Sequence, residues 1–165
     1  MKKVFTTEWK LVQASSGKKR NEQLFDLDFH PVHTDEADFG LSVGGLKSDV
    51  IPKVGKNYTL TLYEAEGYDG VWFTVTSVAI ADDGEKTRLD VTLLQQNDDY
   101  YTEVVFNCFT DKFYTNLHDR FYLILEEVDD NARLIDQLPN ILKEDPRTEI
   151  EVTTDIRKSF IRPLP

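Results

Sequence analysis

The sequence is poor in the features that cross-link a chain or anchor it in a membrane. Its 165 residues include a single cysteine, Cys108, so no internal disulfide can form, and we expect a buried, inert thiol. Met1-Lys2-Lys3 is not followed by an apolar stretch, and no run approaches the roughly 18 apolar residues of a membrane span. We therefore expect one soluble, cytoplasmic domain over residues 1–165, with a loose C-terminal tail over about 158–165.

Basic residues are scarce in the middle of the chain. Residues 24–145 hold 25 Asp and Glu but only nine Lys and Arg, whereas residues 1–23 and 146–165 are net positive; the formal net charge of the chain is −11. Such a charge repels nucleic-acid phosphates and anionic lipids, so we expect no direct nucleic-acid partner and no membrane partner. Aromatic residues are plentiful, with ten Phe, seven Tyr and two Trp, and they can fill a core.

Apolar residues recur mostly with a period of two, which is typical of half-buried strands. Phe5, Trp9 and Leu11 share one face of a first segment, and residues 25–29 alternate apolar and acidic side chains. Asp82-Asp83-Gly84-Glu85 is typical of a hairpin turn. The pattern predicts a mainly β (α+β) fold, a single antiparallel β-barrel or sandwich of about seven to nine strands with one or two short helices.

Several segments depart from this alternation. Residues 15–21 read as a polar loop, and residues 31–45 as a long loop or a short helix. Residues 110–118 favour a short helix or loop before a buried strand. Residues 130–138 predict a helix, because an Asx residue can cap its start and a proline follows its end. A last strand is predicted over residues 149–153.

Asp28, His30 and His33 form the densest group of potentially reactive side chains. Imidazoles three residues apart, with carboxylates beside them, could bind a zinc ion or a non-haem metal if they converged on it. The alternative is a solvated strand end with polar side chains. We expect neither a bound metal nor a cofactor.

Residues 28–35 resemble the Asp-x-Asn-Pro-x-His stretch of hotdog-fold hydratases of the MaoC type, with His30 in the place of the Asn. The resemblance implies that Asp28 and His33 activate water for addition to an enoyl thioester. It also implies a sheet wrapped around a long helix, which residues 36–51 would have to supply. The alternative function to a binding protein is therefore a hydratase-like or metal-assisted enzyme.

Acidic residues also cluster where turns are predicted, and these clusters are the predicted partner-binding residues. A rigid scaffold that presents them on one face could dock on a basic surface of a protein partner, or imitate a nucleic acid. We therefore expect a non-enzymatic acidic binding protein, such as an inhibitor or adaptor; a structural component of a larger assembly is a further alternative. The clusters comprise Asp82, Asp83, Glu85, Asp98, Asp99, Glu126, Glu127, Asp129 and Asp130.

Overall fold

The computed structural model describes residues 3–33, 39–65, 70–83, 86–109 and 119–138, and every regular element in these ranges is a β-strand. The strands are β1 Lys3–Lys19, β2 Glu22–Pro31, β3 Leu41–Leu46, β4 Asn57–Glu64, β5 Phe73–Asp83, β6 Lys86–Gln96, β7 Tyr101–Phe109, β8 Arg120–Glu127 and β9 Arg133–Asp136. The order around the sheet is β4-β1-β2-β3-β7-β6-β5-β8, and β8 also pairs with β4. Eight antiparallel strands thus close into a barrel, with β9 added to β8, which confirms the predicted β-barrel.

Side chains of alternate residues point into the barrel and fill it. On β1, Phe5, Trp9 and Leu11 are fully buried, as the period of two predicts. The rings of Phe5 and Phe106 lie 5.3 Å apart between their centroids, although β1 and β7 are separated by two strands. Opposite walls of the barrel therefore meet through side chains, as an eight-stranded barrel allows.

The first hairpin is longer than its sequence indicates. Residues 15–21 were expected to form a loop, but β1 and β2 pair up to Lys19 and Glu22. Arg20 and Asn21 alone make the turn, with φ angles of 51° and 69°. Positive φ at both central residues is the geometry of a type I′ turn, whose twist matches that of the paired strands. The polar residues before the turn are therefore the outer part of a two-stranded ribbon.

Residues 31–45 are also more regular than expected, because β3 begins at Leu41. Leu41 and Val43 are buried, and β3 lies between β2 and β7. Gly44 and Gly45 together face the single residue Asp26, which makes a β-bulge with Gly45 at a φ of 67°. The glycine pair is therefore part of the strand, at its bulge.

The helix predicted over residues 130–138 is wrong. Asn131 turns the chain with a φ of 57°, and β9 returns along β8. The reason is the edge of β8: β5 pairs with it only at Phe73 and Thr74, so the backbone beyond Phe121 needs another partner. The strand β9 supplies it. The predicted helix at 110–118, the strand at 149–153 and the C-terminal tail lie outside the described residues.

A second, smaller apolar cluster covers the outer face of β4 and β8. Tyr63, Tyr122 and Ile124 point away from the barrel interior, yet they are buried beneath Leu138, and Trp72 packs against them. The amide Nε2 of Gln137 donates to the carbonyl of Val71 over 3.4 Å. The segment before β5 is thereby fixed beside the end of β9.

Candidate functional site

The residues predicted to carry acid–base chemistry do not come together. Asp28 lies exposed on the outer face of β2, where its Oδ1 accepts a hydrogen bond of 3.0 Å from the hydroxyl of Ser42. His33 follows β2, and its Nε2 lies 3.8 Å from Glu8 on β1. Asp28 faces Gln13 of β1, five residues from Glu8, which corresponds to about 16 Å along a strand. Asp28 and His33 are therefore too far apart to activate the same water molecule.

The described residues also do not form the expected metal-binding group. His30 points outward and lies opposite Lys10 on β1, whose ammonium disfavours a bound cation. Within the parts of the chain that the structure describes, no three His, Cys, Asp or Glu side chains are arranged to hold a metal ion. His118 lies outside these residues.

The fold implied by the hydratase resemblance is not observed. Where a hotdog fold needs its long central helix, the described residues 39–51 contain strand β3. The interior of the sheet is occupied by side chains of the barrel strands themselves. The described part of this stretch, residues 28–33, therefore resembles the hydratase motif only in sequence.

The acidic clusters around residues 98–99 and 126–130 lie at turns, and most of their members are paired with cations of the same chain. In the β6–β7 turn, Asp99 Oδ2 lies 2.7 Å from Arg20 of the first hairpin, whereas the exposed Asp98 makes no ion pair within the described residues. The side chains of Asp82 and Asp83, and residue Glu85, lie outside the described part. The turn carboxylates are thus partly neutralised within the molecule.

The β8–β9 turn holds a network around Lys53. Its ammonium lies 3.1 Å from Asp130 Oδ2 and 3.5 Å from Glu127 Oε2. The hydrogen bond with Asp130 raises the pKa of Lys53, and the same bond lowers the pKa of Asp130. Glu127 points into the end of the barrel and is only 2% exposed, so Lys53 balances a buried charge. Burial also raises the pKa of the neighbouring Tyr58 hydroxyl.

The other two acidic residues of this turn, Glu126 and Asp129, differ in whether they form an ion pair. Glu126 Oε2 lies 2.6 Å from Arg133, which raises the pKa of that guanidinium. Asp129 is exposed and makes no ion pair among the described residues. Of the six predicted binding residues whose side chains the structure describes, only Asp98 and Asp129 thus retain an uncompensated charge.

A different group of carboxylates lies together on the outer face of β2, β3 and β7. Asp26 and Asp28 project from β2, Glu103 projects from β7, and Ser42 and Gly44 lie between them on β3; we call these five residues the acidic wall. In the strand register, Asp28 faces Ser42 and Gly44 faces Glu103. Two strand spacings of about 4.8 Å separate the acids of β2 from Glu103. Because the β3 residues between them are small, a furrow separates Asp26 and Asp28 on one side from Glu103 on the other.

The β-bulge fixes the geometry of this furrow. Oδ1 of Asp26 accepts a hydrogen bond of 3.0 Å from the backbone N–H of Gly45. The carbonyl oxygen of Gly45 accepts a hydrogen bond of 2.9 Å from the Thr102 hydroxyl. The oxygen of this hydroxyl in turn accepts a hydrogen bond from the side-chain amide of Asn97. A Cβ atom on Gly44 would lie 3.6 Å from Asp26 Oδ1, so the carboxylate rests directly above the glycine. The backbone of the bulge therefore holds Asp26 in place.

The acidic wall also has no basic residues of its own. The sequences of β2, β3 and β7 contain no Lys and no Arg, and among the described residues Asp26, Asp28 and Glu103 form no ion pair. The alternation of apolar and acidic residues predicts the solvent-exposed face of β2, but the sequence does not indicate that Glu103 lies beside it. That adjacency depends on β3 lying between β2 and β7, and no local pattern indicates this order.

No family model matches this chain, and neither curated proteins nor solved structures show significant similarity to it. Among the described residues there is no helix with the length and apolar character that a membrane crossing requires.

Proposed function

We propose that this chain is a non-enzymatic binding protein that docks on a basic surface of a protein partner through its acidic wall. The observation that supports the proposal is the grouping of Asp26, Asp28 and Glu103 on three adjacent strands that contain no Lys and no Arg. Unlike most of the described turn acids, these carboxylates form no ion pair with a cation of the described chain. A basic partner would supply that cation.

The way the wall is built favours recognition over mere solubility. Asp26 and Asp28 each use Oδ1 in a hydrogen bond within the chain, to Gly45 N–H and the Ser42 hydroxyl. Their positions are thus set before a partner arrives, which reduces the conformational entropy lost on binding. Docked cations would bind to oxygens that are already oriented.

The wall sets the rate and orientation of docking more than its affinity. An exposed ion pair contributes about 0.2–1 kcal/mol, so three such pairs give about 1.5 kcal/mol, a factor of about ten in affinity. A concentrated negative field also raises association rates and is screened by salt. We therefore expect a salt-sensitive on-rate.

The wall is less dense in charge than a nucleic acid. A duplex carries about one negative charge per 1.7 Å of its axis, whereas Asp26 and Asp28 are about 6.6 Å apart along β2. The geometry accordingly favours a basic protein surface in general over the specific imitation of a duplex.

The proposal is tested by calorimetric titration of the full chain with decalysine as a defined basic probe. The triple variant Asp26→Asn, Asp28→Asn, Glu103→Gln keeps hydrogen-bond acceptors in place, and we expect it to weaken binding about tenfold at low salt. The matched control is Asp49→Asn, Glu64→Gln, Asp129→Asn, which changes the net charge equally at exposed sites elsewhere.

The control triple is expected to weaken binding less than twofold. Equal losses in the two triple variants would show that decalysine senses only the net charge of the chain, and would refute a dedicated docking face. Circular dichroism of each variant confirms that the barrel is folded.

A further inference from the structure

A shallow groove crosses the outer face of β5, β6 and the beginning of β7. It consists of two adjoining depressions, of about 700 Å³ and about 360 Å³, which share Val71 and Gln96 in their linings. The smaller is lined mainly by Val71, Trp72, Thr74, Leu94, Gln96 and Tyr101. The larger continues past Asn97 and Tyr100 to Glu22 and Lys47. We call the smaller depression the aromatic groove.

Two aromatic side chains flank the aromatic groove. Tyr101 is 56% exposed, which is unusual for so large a ring, and it faces Gln96 in the strand register. Leu94 faces Thr74, so Trp72, two residues before Thr74, lies beside Gln96 on the other side. Two strand spacings place the backbones of Tyr101 and Trp72 about 10 Å apart.

Trp72 is held in place from outside the groove. It packs on the apolar cluster of β4 and β8, and the guanidinium of Arg120 lies 4.5 Å from its ring centroid. The ring is therefore a rigid, half-buried element of the wall of the groove. Tyr101, on the opposite side, presents a free face to solvent.

The polar side chains in the aromatic groove are available for hydrogen bonds with a ligand. Within the described residues, no side-chain hydrogen bond involves Gln96, Thr74 or the Tyr101 hydroxyl. A carboxamide offers a donor and an acceptor side by side, and a hydroxyl offers both on one atom. Such groups match ligands that carry neighbouring hydroxyl groups.

The charges around the two depressions favour a neutral ligand. Arg120 lies at the Trp72 end, and at the far end Lys47 forms an ion pair of 3.0 Å with Glu22. Arg120 repels a cationic peptide, which the acidic wall attracts instead. Glu22 and the nearby Asp98 repel the phosphates of a single-stranded nucleic acid.

From this arrangement we propose that the aromatic groove binds a neutral oligosaccharide. The apolar C–H faces of its sugar rings pack on Tyr101 and Trp72, and its hydroxyl groups bond to the carboxamide of Gln96 and the hydroxyl of Thr74. The groove adjoins the acidic wall, because Leu94 of its lining faces Glu103 in the register of β6 and β7, but its occupancy does not depend on the proposed protein partner.

The test uses the full chain and four soluble probes, cellohexaose, maltohexaose, chitohexaose and mannohexaose. The chain has only two tryptophans, Trp9 and Trp72, and Trp9 is fully buried inside the barrel, so a change in emission reports on Trp72. We expect at least one probe to shift this emission saturably and to move the backbone amide signals of Thr74, Gln96 and Tyr101 in NMR spectra.

Tyr101→Ala is expected to weaken that binding at least about tenfold, equivalent to about 1.4 kcal/mol. The matched control is Ile51→Ala, because Ile51 is 73% exposed outside the groove lining; it should bind like the wild type. Absence of binding by all four probes overturns the proposal, as does equal binding by the two variants. Decalysine or a ten-residue oligothymidine moving the groove signals instead of a sugar overturns it as well.

Discussion

Replacing Gly45 by alanine tests the β-bulge on which the acidic wall depends. Gly45 has a φ of 67°, in the left-handed region, and a Cβ atom there would lie 2.3 Å from the carbonyl oxygen of Tyr101. That oxygen belongs to the backbone of β7, so no side-chain rotation can relieve the overlap. The alanine therefore combines backbone strain with a steric clash.

The two effects can be given magnitudes. A residue with a side chain costs about 1–2 kcal/mol in the left-handed region. Forcing extra atoms into a packed site typically costs about 1–3 kcal/mol more. Gly45→Ala should then lower the free energy of unfolding by about 2–5 kcal/mol. At about 2–4 °C per kcal/mol for a chain of this size, the melting temperature falls by about 5–20 °C.

Urea unfolding followed by circular dichroism measures the effect, and two other glycines separate its causes. Gly55 has a φ of 94° but open space where a Cβ would lie, so Gly55→Ala should cost only the strain of about 1–2 kcal/mol. Gly17 has neither feature, and Gly17→Ala should change stability by less than about 0.5 kcal/mol. If Gly45→Ala costs no more than Gly55→Ala, the bulge does not lie against β7 as described.

Two further predictions concern local environments. Acrylamide should quench only the emission of Trp72, because Trp9 is fully buried and Trp72 is not. In the Trp72→Phe variant, the remaining emission of Trp9 should resist quenching. Lys53 lowers the pKa of Asp130, so this pair stabilises the fold above the carboxyl's unfolded pKa of about 3.9, and the contribution is lost as pH falls through the lower folded value. Lys53→Met should therefore lose less stability than the wild type between about pH 5 and pH 2.5 in urea titrations, whereas Lys56→Met, at an exposed lysine, should follow the wild type.

The parts of the fold that sequence predicts are those fixed by local alternation. The inward residues Phe5, Trp9 and Leu11 follow directly from a period of two, and the buried strand β8 follows from its uninterrupted apolar run. The strands β3 and β9 were not predicted, because each is short and its conformation depends on a neighbouring edge. Residues 133–136 become a strand since β8 lacks a partner there, which the sequence of the segment itself does not indicate.

In the candidate site, too, local features can be predicted from the sequence, whereas contacts between distant residues cannot. The turn acids are visible as clusters in sequence, but their neutralisation is not, because Lys53 and Asp130 are 77 residues apart. Likewise Asp26 and Glu103 become neighbours only when β3 inserts between β2 and β7. Most of the described acids that the sequence places at turns are compensated, whereas Asp26, Asp28 and Glu103 lie without a cation on a sheet face that only the strand order creates.

The most direct test of the docking face is an NMR titration of the full chain with decalysine at low salt, following each backbone amide. We expect the largest shifts on residues 26, 28, 42, 44 and 103, and we expect these shifts to vanish together as salt is raised. Shifts of equal size at the β8–β9 turn, around Asp129 and Asp130, would contradict it, because the charge would then act as a diffuse property of the whole surface.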